Sequence, residues 1–287
     1  SARPLPGDRD RNFRIDAPNG PRWVLKVVRD TPAARADQEA QRTVLSLLRS
    51  EWPEAHPPFP RLIEPGVPGA TESQGGEVEG PVVERDSRGD PCLIRLVEFL
   101  PGTPLADVRR RPDSIYRDLG HLLGRMHRIL EQVPEDLGTR ELDWDLRRAR
   151  IAVERHRRLI SDPQRGAVID RFRAWWERGE IDFAPALPLA LIHNDANDHN
   201  VLVEWGDGPT PADRAPRISG LIDFGDMVRS WRVGELAVAG AYLILGRPDP
   251  LPILEGLVRS YHRAAPLEET ELAALFPLLR LRLALSV

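Results

Sequence analysis

Two short apolar runs, each ending in a fixed set of polar residues, limit what this chain can be. Residues 191–200 read LIHNDANDHN and lead straight into Val201, Leu202 and Val203. Residues 221–226 read LIDFGD. Short apolar runs closed by polar residues are strand signals. Each run therefore hangs a polar loop from a strand. One loop carries His193, Asp195 and Asn200 in the spacing H-x-D-x-x-x-x-N; the other carries Asp223. A carboxylate so placed is held rigidly and still exposed.

The residue types define a chemistry. Asp223 offers a carboxylate and Asn200 an amide oxygen, both suited to a hard cation. One carboxylate, one amide oxygen and substrate phosphates make a common Mg2+ site, because that ion keeps several waters and is seldom caged by protein alone. Asp195 is then free to orient a hydroxyl and accept its proton. In phosphoryl transfer the cation neutralises charge on the moving group, and a strand lysine grips the nucleotide phosphates.

Composition supplies that lysine. Of 40 basic residues, 39 are arginine, and Lys26 is the only lysine in the chain. A compact ammonium on a flexible stem does what a planar guanidinium cannot, so Lys26 is a functional candidate. It lies inside the apolar run 23–28. Net charge is −4 and the pI about 6.0, which argues against a general nucleic-acid binder. The single cysteine, Cys92, allows no internal disulfide and suggests a reducing, cytoplasmic setting. No apolar run reaches the roughly 18 residues of a membrane span. No signal peptide opens the sequence. The chain ends in what reads as mid-helix, which suggests one domain of a larger multidomain enzyme.

Periodicity divides the chain. Strands are expected at 12–15, 23–28, 61–64, 81–85 and 91–99. One helix runs from Thr31, a plausible N-cap, with Pro32 in its first turn, to about Ser50. Glu39 lies near its middle and is the candidate partner of Lys26. Residues 67–80 read as a flexible insertion. Residues 1–99 thus form a strand-rich lobe, 100–104 a linker, and 105–287 a mainly helical lobe. Helices are expected there at 114–130, from 143 onward, and at 167–176, 233–245, 251–264 and 268 to the end. Residues 205–216, rich in Pro, Gly and Asp, read as a hairpin loop. His121 and His127 are six apart, off metal-pair spacing, and read as packing residues.

A strand lysine, a helix glutamate, the Asp195/Asn200 loop and Asp-Phe-Gly at 223–225 follow one another in the order of a kinase. With residues 7–13 (GDRDRNF), 24–27 (VLKV), 96–102 (LVEFLPG) and 119–127, they make the chain resemble the aminoglycoside-phosphotransferase-like family of small-molecule kinases, which share the protein-kinase fold. Within it, the residues around 193–200, 220–226 and 234–239 are most similar to hydroxylysine kinases and to phosphotransferase domains fused to class III aminotransferases. The resemblance implies an α+β, bilobal protein-kinase-like fold: a small antiparallel sheet with one helix, then a larger helical lobe. It implies Asp195 as base, Asn200 and Asp223 as Mg2+ ligands, Lys26 on the α/β-phosphates and Glu39 holding Lys26. Glu98, Phe99 and Leu100 become a hinge whose backbone binds the base of ATP or GTP, and His193 shapes the catalytic loop.

Two departures stand out. Residues 7–11 carry one glycine instead of a G-x-G-x-x-G loop, so Arg9 or Arg11 could touch phosphate as readily as line a solvated turn. And 28 residues separate Asp195 from Asp223, the excess matching the 205–216 hairpin. The expected acceptor is a hydroxylated amine or amino acid: hydroxylysine, an amino alcohol, homoserine or an aminoglycoside. Asp198, Asp226 and Glu235 are candidates for its ammonium, with Asp145 a weaker one. Two other classes remain in view: a weakly active nucleotide-binding module serving a partner enzyme domain, and a metallohydrolase using His193, Asp195 and Asp223.

Overall fold

The computed structural model describes residues 1–7, 10–18, 20–63, 82–179, 187–210 and 214–287. The expected insertion at 67–80, residue Arg9 and part of the 205–216 loop lie outside these. The chain divides into two compact units, Ser1–Pro101 and Gly102–Val287.

The first unit is an antiparallel sheet with one helix. Its strands are β1 (Ala2–Leu5), β2 (Arg11–Asp16), β3 (Arg22–Arg29), β4 (Leu62–Ile63), β5 (Val82–Arg85) and β6 (Pro91–Glu98). The order is β1-β2-β3-β6, with β4 and β5 sharing the far edge of β6. Helix α1 (Pro32–Glu51) starts where Thr31 accepts the Ala34 N–H at 3.1 Å and Pro32 fills the first turn. Its buried stripe is Gln41, Val44, Leu45 and Leu48, spaced three and four apart as a helix face requires. All four are buried, as are Phe59, Leu93 and Val97.

The second unit is mostly helical: α2 (Asp113–Leu130), α3 (Ala149–His156), α4 (Pro163–Glu177), α5 (Gly234–Ile244), α6 (Leu251–Ala264) and α7 (Glu269–Leu285). Helices α2 and α6 approach closely because α2 presents glycine at the crossing. A Cβ on Gly120 would stand 2.1 Å from the Leu257 carbonyl oxygen, and one on Gly124 2.8 Å from that of Tyr261. Helix α5 is almost wholly buried. Where the sequence suggests a helix starting at 143, a short 3-10 turn over Leu146–Arg148 comes first, with the Asp145 side chain accepting the Arg147 N–H. The Arg-rich segment beyond is solvated and ion-paired, with Arg155 on Asp143 and Arg157 on Asp170. No helix among the described residues is long and apolar enough to cross a membrane.

Two small sheets hold the motif loops. Strand β7 (Thr103–Pro104) pairs with β9 (Val201–Trp205), which pairs with β10 (Pro216–Leu221); β8 (Leu189–Ile192) pairs with β11 (Val228–Trp231). Thr103 and Pro104, read above as linker, thus extend a sheet. Gly102 makes this possible: its φ is +139°, and a Cβ would lie 2.9 Å from Ser219 Oγ. Loop 193–200 joins β8 to β9, and loop 222–227 joins β10 to β11.

Candidate active site

In the first unit the lysine sits in a polar row. Asn12, Lys26 and Arg95 are register partners on β2, β3 and β6, and directly paired residues of antiparallel strands share a face. Arg95 donates to Gln41 Oε1 at 2.6 Å and pairs with Asp10 at 3.3 Å. Helix α1 and Asp10 are thereby tied to the strand residue beside Lys26. Gly7 is required where it stands, since a Cβ would meet Asn12 Nδ2 at 2.5 Å and the Asp10 carbonyl at 2.6 Å. Arg11 is exposed, its guanidinium 5.9 Å from the Phe13 ring. Arg9 lies outside the described residues.

Glu39 is placed differently from expectation. Its carboxylate is 58% exposed and bonds Arg42 at 2.7 Å, one turn along α1. Gln41 points to the sheet, so Asp37, four residues earlier, shares its stripe, while Glu39 falls on the outer face. The hinge residues are also partly committed. The Glu98 N–H donates to Arg61 O at 2.8 Å and the Phe99 N–H to Arg22 O at 3.1 Å. The Glu98 carboxylate accepts the Arg61 N–H. These amides belong to the sheet, which narrows the expected hinge donors to Leu100.

In the second unit loop 193–200 is a dense hydrogen-bonded turn around Asp195. Asn197 Nδ2 donates to Asp195 Oδ1 at 2.9 Å; Asn200 Nδ2 donates to Oδ2 at 2.8 Å and to the Asp195 carbonyl at 2.9 Å. Asn197 Oδ1 in turn accepts the His199 and Asn200 amides. Burial pushes the Asp195 carboxyl up to about 6; Asn197 and Arg282 oppose this, while Asp226 and Asp223 add to it. Asp223 and Asp226 therefore both act electrostatically on Asp195, each disfavouring its ionised form.

His193 fixes this loop to its neighbour. Its Nε2 lies 3.0 Å from Ile222 O, and its Nδ1 accepts the Asp195 N–H at 3.2 Å. The ring thus carries its proton on Nε2, and neither nitrogen is left to bind a metal, which removes the basis for the metallohydrolase reading. The Ile222 N–H closes the link on Asn200 O at 2.9 Å. Asn194 and Asp223 both have left-handed backbone, with φ of 64° and 63°, a conformation non-glycine residues hold only where surroundings enforce it. Arg140 enforces the second loop, donating to Gly225 O at 2.5 Å and Met227 O at 2.8 Å. Gly225 leaves only tight space beside Asp223: a Cβ would lie 3.2 Å from Asp223 Oδ1.

Three acidic candidates for the acceptor are separated by the structure. Glu235 is fully buried and its carboxylate accepts the His193 N–H at 2.6 Å. It is a backbone anchor behind the loop and cannot meet a substrate. Asp198 is paired at 3.0 Å with the buried Arg111, and its carbonyl accepts the Ala106 N–H; it secures the loop. Asp226 is partly buried and acts electrostatically on Asp195, so it keeps a place at the site. Asp145 is buried and bonded to Ser230.

The residue that motif reading misses is Arg282, on α7, whose guanidinium reaches Asp195 Oδ1 at 3.4 Å. Its signal was a charge at an apolar stripe position, since Leu278, Leu281, Arg282 and Leu285 follow helical spacing. Asn197 was visible inside the motif but carried no assigned role.

These features define a bilobal α+β kinase-like fold whose second unit carries a half-buried carboxylate with a raised pKa and a second acidic loop. The sequence profile of the phosphotransferase enzyme family matches residues 1–275, and the chain belongs to that family. It is 28% identical over 297 residues to a hydroxylysine kinase of Danio rerio, a match covering 99% of this chain and 77% of that protein. It is 27% identical over 218 residues to a homoserine kinase of Zymomonas mobilis, covering 75% of this chain and 60% of that protein. Among solved structures it resembles an amicoumacin kinase in complex with AMP-PNP, Ca2+ and amicoumacin. That match has a TM-score of 0.69 at 15% identity and covers 99% of this chain and 79% of that one. The chain is a small-molecule phosphotransferase.

Proposed function

We propose that this enzyme moves the terminal phosphoryl group of ATP or GTP to a hydroxyl of a small amine or amino acid. The observation that carries the reading is the state of Asp195. Its carboxylate is oriented by two amide donors, remains 22% exposed, and is pushed by burial up to about 6. A general base performs best when its pKa lies near the working pH. Asp195 aligns the acceptor hydroxyl and takes its proton as the new phosphate ester forms. Lys26 is assigned to the α/β-phosphates. Leu100, with the carbonyls of Glu98 and Phe99, is assigned to the nucleotide base.

The donor set of the second unit fits Mg2+. Asn200 spends its Nδ2 on Asp195, which leaves Oδ1 as its ligand atom, and Asp223 supplies a carboxylate. When bound, the ion offsets charge on the transferring phosphoryl group. Asp226 is assigned to the acceptor ammonium. The similarity to hydroxylysine and homoserine kinases supports acceptors of the hydroxy-amine and hydroxy-amino-acid type.

The test is nucleotide turnover with Mg2+ across amino alcohols and hydroxy amino acids, with Asp195→Asn as control. Turnover that survives Asp195→Asn removes the assignment of the base. Loss of turnover with nucleotide binding retained supports it.

A further inference from the structure

Arg282 is a buried cation without a tight partner. Its side chain is only 4% exposed. Nη2 lies 3.4 Å from Asp195 Oδ1 and 3.3 Å from Tyr242 Oη, Nη1 lies 3.4 Å from Trp144 O, and Nε has no partner. Every polar contact is longer than the 2.7–2.9 Å of a charge-assisted N–H···O bond. Other arginines of the chain are held at such distances: Arg35 on Asp30 at 2.6 Å and Arg157 on Asp170 at 2.7 Å. Asp195 does not depend on Arg282 either, since its two oxygens already accept from Asn197 and Asn200. A desolvated guanidinium held this loosely is unfavourable unless an anion completes it.

The surroundings indicate which anion. The guanidinium carbon lies 5.1 Å from the Trp144 ring and 5.5 Å from the Tyr242 ring. Two aromatic walls suit an organic molecule, and the planar fork matches a carboxylate. A carboxylate on Arg282 lies beside Asp195, so one small molecule can present its hydroxyl to the base and its carboxylate to the guanidinium.

We infer that Arg282, walled by Trp144 and Tyr242, binds the carboxylate of the acceptor, so that the substrate is a hydroxylated amino acid and not a plain amino alcohol. This rests on the phosphotransferase reading above. It sets the acceptor class by one residue of α7.

The experiment compares matched acceptors that differ only in the carboxylate: 5-hydroxylysine with 1,5-diaminopentan-2-ol, and homoserine with 3-aminopropan-1-ol. For the wild type, kcat/KM is expected to favour the amino acid of at least one pair by on the order of 100-fold. In Arg282→Met that preference collapses towards unity, and Arg282→Lys restores part of it. Equal use of the two members of each pair by the wild type overturns the inference and leaves the phosphotransferase reading standing. So does a preference unchanged in Arg282→Met. A uniform loss for both members places Arg282 on the phosphoryl group or on Asp195 and equally overturns it. If no acceptor of either kind is turned over, the phosphotransferase reading fails and the inference falls with it. The wild-type comparison needs no variant, so a folding defect in Arg282→Met cannot decide the outcome.

Discussion

The carboxylate of Glu235, at the start of α5, accepts the backbone N–H of His193 at 2.6 Å, two residues before Asp195. Burial holds its pKa up to about 7, against the lowering effect of the His193 and Asn194 amides. Glu235→Ala leaves those donors buried and unpaired, and is expected to cost about 2–5 kcal/mol of stability, measured by denaturant unfolding. Glu235→Gln keeps an acceptor and should cost less. The pH dependence has a definite sign. Between pH 4.5 and about 7 the unfolded chain ionises this carboxyl before the folded one does, so it lowers stability as pH rises. The stability of Glu235→Gln relative to wild type should therefore improve from pH 4.5 to 7, by on the order of 1–3 kcal/mol. A flat difference would contradict the raised carboxyl.

Behind Glu235 lies His127, fully buried and bonded to the Tyr261 hydroxyl, with its pKa lowered to about 3 by burial. The folded protein keeps it neutral while the unfolded chain protonates it below 6.5. Its contribution to stability is thus present above pH 6.5 and is lost as pH falls towards 3. Denaturation series of wild type and His127→Gln should converge as the pH is lowered through that window.

Lys26→Arg tests why one lysine survives among 39 arginines. The charge is kept, so the melting temperature should move little. Nucleotide affinity should fall about 10-fold or more, because a planar fork cannot replace a point ammonium at phosphate. Calorimetric titration with nucleotide decides it; unchanged affinity sinks the assignment.

Asn197→Ala removes one of the two amide donors on Asp195 together with the acceptor of the His199 and Asn200 amides. A base that loses its orientation loses rate before affinity. The expectation is a fall in kcat of about 10- to 100-fold with nucleotide binding kept. Wild-type kcat would show that Asn200 alone positions the base.

Glycines on α2 and α6 give a paired test of packing. Gly120→Ala drives a methyl into the Leu257 carbonyl, 2.1 Å from its ideal position, and should cost about 3 kcal/mol or more. Gly256→Ala meets nothing nearer than Tyr116 Cβ at 3.5 Å and should stabilise α6 by up to about 1 kcal/mol. Thermal melts of the two variants should shift in opposite directions.

Much of the fold was legible because its signals are local. Thr31-Pro32 announces α1, and the stripe from Ile115 to Met126 announces α2. Asp195, Asn200 and Asp223 stand out because their residue types and order are chemically unusual. What stayed hidden depends on rotation and on distance in sequence. Glu39 and Asp37 differ by about half a turn of one helix, and periodicity alone does not say which of them meets the sheet. Glu235 and Asp198 read as substrate carboxylates because they lie near Asp195 in sequence; only packing shows one beneath His193 and the other on Arg111. Arg282 lies 87 residues from Asp195, and no spacing rule connects them.

The bond from the Ile222 amide to the Asn200 carbonyl sits at the base of the β9–β10 hairpin. The Asp195 loop and the Asp223 loop are therefore in register before the hairpin tip is reached. The number of residues between Asp195 and Asp223 is then free to drift, because lengthening the tip changes their separation in the chain and not in space. Relatives with much shorter or longer hairpins can share this arrangement, and a search that fixes the interval between the two motifs would pass over them.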